Sequence, residues 1–240
     1  MRPIRSLIPL MVGIATLVSA QSSTPGSDPA ARRRYPPLRE YLMPRDAELA
    51  LARTAAPPNV TKRATMKILT ESGYRVDHEG DNGFVCMVMR GWAAPTYTPA
   101  AFRDLVYDPK VRAPICFNPV AVRTVLPYQE LRAKLAMEGK TPDQIATGVQ
   151  SAYVKGELPK IEAVGFAYMW SADQYLAPGV GAWHPHMMVY TPYYTNAMLG
   201  GNQFGSTLPA VTDDAGTPFT VTVIPLDQSL AISVKERQER

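Results

Sequence analysis

The chain reads as an α+β fold: a mostly antiparallel sheet, built from an N-terminal three-stranded meander plus C-terminal strands, packed with about four helices. Three observations predict it. Apolar and polar residues alternate with period two between Ala64 and Arg90. Helix-start signals at Pro44, Asn118-Pro119 and Thr141-Pro142 open segments with helical spacing. Short β-rich runs return after Gly165, separated by turns rich in Gly and Pro.

At the N-terminus, Arg2 and Arg5 precede the almost wholly apolar stretch from Leu7 to Val18, and Val18-Ser19-Ala20 ends it with short side chains. That order predicts a secretory signal peptide over residues 1–20, cut near Ala20. The apolar run is about a dozen residues long and contains Pro9, short of the about 20 that a membrane-crossing helix needs. Residues 21–39, with Ser, Pro, Gly, Asp and the triplet Arg32-Arg33-Arg34, predict a flexible leader. No internal repeat divides residues 40–230, which are expected to form a single α+β domain. Residues 231–240 are expected to be a charged tail that frays after Ser233.

Within the domain, Pro44 suits the first position of a helix running to about Ala56, with Asp46 and Glu48 where the helix dipole favours acids and Pro57-Pro58 ending it. Three alternating runs follow: Met66 with Ile68, Tyr74 with Val76 and His78, and Phe84 to Met89 after Asn82-Gly83. Asn-Gly between such runs signals a hairpin, so these predict an antiparallel meander with Cys86 in its third strand. Pro95, Pro99, Pro109, Pro114 and Pro119 make the next segment irregular. A short helix opened by Asn118-Pro119 is expected to break at Pro127, and a second runs from about Tyr128 to Glu138. Thr141-Pro142-Asp143-Gln144 is a capping box for a third, with Ile145, Val149 and Tyr153 on one face. Strands are expected over Gly165 to Trp170, His184 to Thr191, Leu208 to Thr212 and Pro218 to Ile224, with a short helix from Tyr193 to Leu199.

Loss of the first twenty residues lowers the formal net charge from +4 to +2, which provides no field for holding nucleic acid. No further long apolar segment exists, so no transmembrane span is expected in the mature protein. Export places the chain in the periplasm or the medium, where its two cysteines, Cys86 and Cys116, are free to form a disulfide. The alternative is two buried thiols.

The chain has no Gly-x-Ser-x-Gly elbow, phosphate loop, His-Glu-x-x-His, Cys-x-x-Cys or dinucleotide fingerprint. His184-Pro185-His186 is the one constellation with metal-ligand chemistry, because residues two apart on a strand share a side. His78, on the Tyr74 and Val76 face, is the candidate third ligand. Three imidazoles with an open position suit zinc hydrolysis, whereas two with a Met thioether suit copper. Histidines at a strand entry also serve as structural groups bonded to carbonyls. Ser171, Ser206, Asp173 and Asp213 are the candidates for a serine triad with either histidine, but no spacing selects among them. Trp170, Tyr175 and Trp183 are the aromatics expected to line a ligand pocket.

These residues lead to two readings. The first is an exported, non-catalytic domain that binds an unidentified small molecule or an envelope component. The second is a metal-dependent hydrolase centred on His184 and His186, with zinc, or in its place copper, as cofactor.

Overall fold

The computed structural model describes residues 36–93, 108–162, 164–177, 181–202 and 206–238. The segment expected to be a signal peptide and the expected leader up to Tyr35 lie outside the described residues, as do Pro95 and Pro99 of the irregular segment. Eight strands form one sheet: β1 (Thr65–Thr70), β2 (Gly73–His78), β3 (Val85–Met89), β4 (Ala113–Phe117), β5 (Phe166–Met169), β6 (His186–Tyr190), β7 (Ala210–Asp213) and β8 (Val221–Pro225). Their order is β2-β1-β3-β4-β5-β6-β8-β7, and every neighbouring pair is antiparallel except β1 with β3. The described helices are α1 (Arg45–Ala52), α2 (Pro58–Thr61), α3 (Pro119–Thr124), α4 (Leu126–Met137), α5 (Pro142–Val154) and α6 (Val234–Gln238), so the fold is α+β as its sequence predicts.

The parallel pair corrects one detail of the predicted meander. After β2 the chain does not turn back on itself at Asn82-Gly83; it crosses the start of β1 and lies on the far side, with Thr65 opposite Val85 and Met66 opposite Cys86. Gly80 permits the crossing, because a Cβ there would stand 2.2 Å from the Arg63 carbonyl oxygen and 2.4 Å from Thr65 N. Asn82 fastens it: its amide donates to the Val60 carbonyl (2.8 Å) and its side-chain oxygen accepts from Phe84 N–H (3.0 Å). An Asn-Gly pair reports only that the chain bends, and contacts outside the pair decide where it goes next.

Both faces of the sheet centre are covered. Cys86, Val88, Cys116 and Met66 point to a layer of Leu49, Leu51, Ala52 and Ala55, while Met87, Met89, Ile115 and Phe117 pack on the opposite side against Ala121, Val125, Tyr128 and Val149. β3 and β4 are therefore buried along their whole length and read as continuous apolar runs instead of alternating ones. The two sulfurs meet as directly opposed residues of β3 and β4, forming the Cys86–Cys116 disulfide.

Local signals place the helices, with small shifts. Pro44 is the N-cap of α1 and lies just outside it. The capping box at Thr141 is fully formed, and the Asn118 side chain accepts from Ala121 N–H at 2.9 Å. Pro127 does not interrupt a helix; it lies in the first turn of α4, where a missing N–H costs nothing. The expected helix over Tyr193 to Leu199 is a 3-10 turn, Asn196–Leu199, ended by Gly200 at φ +86°. Within residues 231–238, Ile232 pairs with Ser171, and α6 lies beside the Arg53–Ala55 turn.

Two charge pairs lie in the interior of the described residues: Arg132 faces Asp214 at 3.9 Å, and Arg90 faces Glu48. Arg90 and Glu48, both about 1% exposed, meet at 2.9 Å, with Arg90 Nε donating to the Tyr41 carbonyl and Glu48 Oε1 also accepting from Leu69 N–H.

Candidate functional site

The residues singled out for chemistry gather around the connection from β5 to β6, where Met169 and His186 are paired. Pro185 stands immediately before β6, as a residue without an N–H must at a strand entry. His186 is buried, and its Nδ1–H donates to the His184 carbonyl at 2.7 Å. The Trp183 ring lies 5.0 Å from the His186 ring and 5.7 Å from that of His184. Burial drives the His186 pKa down to about 4, against the opposing pull of the His184 carbonyl, so the ring is neutral at neutral pH.

His78 does not join this pair. A register shift puts it opposite Met66 at the exposed edge strand β2, five strand steps from β6 in the sheet order. At about 4.8 Å per step that is roughly 24 Å. Among the described residues, no three His, Cys, Asp or Glu side chains stand close enough together to hold a metal ion.

The serine candidates are placed as follows. Ser171 is fully buried; its Oγ shares a 2.6 Å hydrogen bond with Thr54 Oγ1 and accepts from Asp173 N–H. The Asp173 carboxylate accepts from Val234 N–H at 2.6 Å, which holds the start of α6. Ser206 Oγ accepts from Leu208 N–H in its own loop. Asp213 ends β7, at the far edge of the sheet order.

The three predicted pocket aromatics separate. Tyr175 is held by two backbone hydrogen bonds to Arg112, and Trp183 packs on the α3–α5 side of the sheet and accepts a bond from Gln174 at its carbonyl. Trp170 borders a cleft. It follows Met169 and therefore faces the opposite side, where its ring lies 5.5 Å from Tyr168, which in turn lies 5.4 Å from Phe166 and 6.3 Å from Phe84. This band of half-buried rings continues onto Met187, Val189 and Ile224 of the neighbouring strands, also half-buried.

At the Trp170 end of the band lies a cleft of about 200 Å³, lined by Pro58, Trp170, Ser229, Leu230, Ala231, Ile232, Glu236 and Arg237. Its walls come from three distant parts of the chain. Ile232 N–H donates to the Trp170 carbonyl and Ala172 N–H to the Ile232 carbonyl, so residues 228–238 are laced to the end of β5, and the Arg237 guanidinium bonds Thr61 Oγ1 of α2. Sequence reasoning names Trp170 but misses the partners from the tail. Their signal is the alternation Leu230, Ile232, Val234, half-hidden by the charges that follow.

No family model matches this chain, and neither a curated protein nor a solved structure does.

Proposed function

We propose that this chain is an exported, non-catalytic binding domain whose ligand occupies the Trp170 cleft. The observation that carries the reading is the cleft itself: an indole, a proline ring and three aliphatic side chains form its apolar part, and Ser229, Glu236 and Arg237 place a hydroxyl, a carboxylate and a guanidinium at the same opening. Mostly apolar walls with a few polar groups are how small-molecule sites are built. A cleft of about 200 Å³ suits a small molecule or the end of a longer envelope component. The lining contains no histidine or cysteine. Export is supported by the buried Cys86–Cys116 bond and is compatible with the finding that, among the described residues, no helix is long and apolar enough to cross a membrane.

Saturation-transfer NMR against a panel of disaccharides, short peptides and fatty acids tests the site. Binding lost in Trp170→Ala and kept in Trp183→Ala supports it; binding indifferent to Trp170→Ala, or lost only in Trp183→Ala, sinks it. Elemental analysis separates this reading from the metal-dependent hydrolase, which requires stoichiometric zinc that disappears in a His184→Ala, His186→Ala double variant.

A further inference from the structure

The Trp170 cleft carries two opposite charges at one opening. Glu236 and Arg237 both line it, while Pro58, Trp170, Leu230 and Ile232 supply apolar walls. Leu230 is 40% exposed, apolar surface that the fold itself leaves uncovered.

Both charges are held by specific bonds. Ser233 and Glu236 form a reciprocal cap at the start of α6: Ser233 N–H donates to Glu236 Oε2 (3.3 Å) and Glu236 N–H donates to Ser233 Oγ (3.1 Å). The Asp173 carboxylate accepts from the next N–H, that of Val234, at 2.6 Å. Arg237 donates to Thr61 Oγ1 of α2. The carboxylate and the guanidinium are thus each tied to a neighbour of their own, and the fold positions both before any ligand arrives.

That combination narrows the chemistry of the occupant. An alkyl chain alone would cover the two charges without pairing either, which costs free energy. A simple anion is opposed by Glu236 and a simple cation by Arg237. A sugar would press hydroxyls against Pro58, Leu230 and Ile232, where no polar group answers them. A molecule with an ammonium group, a carboxylate and an apolar side chain matches all three features of the cleft. Its size fits as well, since about 200 Å³ lies below the about 300–1,000 Å³ of sites for drug-sized ligands. We propose that the Trp170 cleft binds a free apolar amino acid, with its ammonium group on Glu236, its carboxylate accepting from Arg237 and its side chain against Trp170. The proposal rests on the reading of this cleft as the binding site and adds the class of its ligand.

Isothermal titration calorimetry at pH 7 with leucine, phenylalanine, N-acetyl-leucine and leucinamide tests this, because each blocked form of leucine lacks one of the two charges. Leucine or phenylalanine is expected to bind, and blocking either end of leucine to weaken its binding by about tenfold or more. In Glu236→Gln, whose glutamine can keep the helix cap, the preference for leucine over N-acetyl-leucine is expected to disappear. Equal binding of leucine and both blocked forms overturns the proposal, as does a preference that Glu236→Gln leaves intact. Failure of both amino acids to bind also overturns it; if a fatty acid or disaccharide then binds and is lost in Trp170→Ala, the cleft stands and only its ligand class falls. Amino-acid binding that Trp170→Ala leaves unchanged overturns the ligand class and the cleft together.

Discussion

Removing the Cys86–Cys116 bond is the perturbation whose cost follows most directly from the structure. The two residues are 30 apart in sequence, and the loop-closure relation gives about 3.6 kcal/mol for a loop of that size at 25 °C. Both residues are fully buried between the α1 layer and the sheet, so a Cys86→Ala, Cys116→Ala variant also loses packing and the entropic figure is a lower bound. A domain with about 5–15 kcal/mol of stability would then keep only part of it. Urea denaturation of parent and variant, followed by circular dichroism, measures the difference. Burial adds a second, kinetic expectation: dithiothreitol should reduce the native protein no faster than it unfolds, and added urea should accelerate both together. A loss under about 1 kcal/mol, well below the loop-closure figure, would refute the reasoning, as would reduction much faster than unfolding.

Four further outcomes are expected. Glu48→Ala leaves the Arg90 guanidinium buried beside Val88 and Tyr41 with no counter-charge, which should cost about 3–5 kcal/mol by urea denaturation, while Glu48→Leu, Arg90→Met together should recover most of it. Because the folded pKa of His186, about 4, lies below its ordinary 6.5, the unfolded chain takes up this proton first. Stability should therefore fall as pH drops from 6.5 towards 4, by about 3 kcal/mol, and comparing urea midpoints at the two ends in the parent and in His186→Asn isolates that contribution. Gly80→Ala forces a methyl onto the Arg63–Thr65 backbone and should cost about 1–3 kcal/mol, read as a lowered thermal midpoint. Tyr193→Gly relieves a left-handed backbone and should raise stability by about 1 kcal/mol, read as a higher thermal midpoint.

Local chemistry was legible in the sequence wherever neighbours in the chain decide the outcome. The box at Thr141, the cap at Asn118 and the strands on either side of the β5–β6 connection all fall where their residues place them. What the sequence could not show is strand order. His78 and His186 each sit on a strand as expected, but periodicity indicates which side a residue takes and nothing about how many strands lie between two of them. The same gap explains the crossover before β3, where Gly80 approaches the backbone of residues 63–65, a contact no spacing rule contains. The cleft was half legible: Trp170 was named, but the tail that completes it reads as charged because Lys235, Glu236 and Arg237 mask the apolar alternation just before them.

The two edges of the sheet show how this chain limits strand addition. β2 ends one side with the exposed Arg75 and His78 and with Asp77 locked to Arg45 of α1 by two hydrogen bonds of 2.6 and 2.8 Å, while a bulge shifts its register against β1. Charge and irregularity are what keep an edge from templating another strand. β7 at the other side has no such charges before Asp213; there the Asn196 amide takes the place of a neighbouring strand for Val211. An edge closed by an amide instead of by lysines leaves its surroundings neutral.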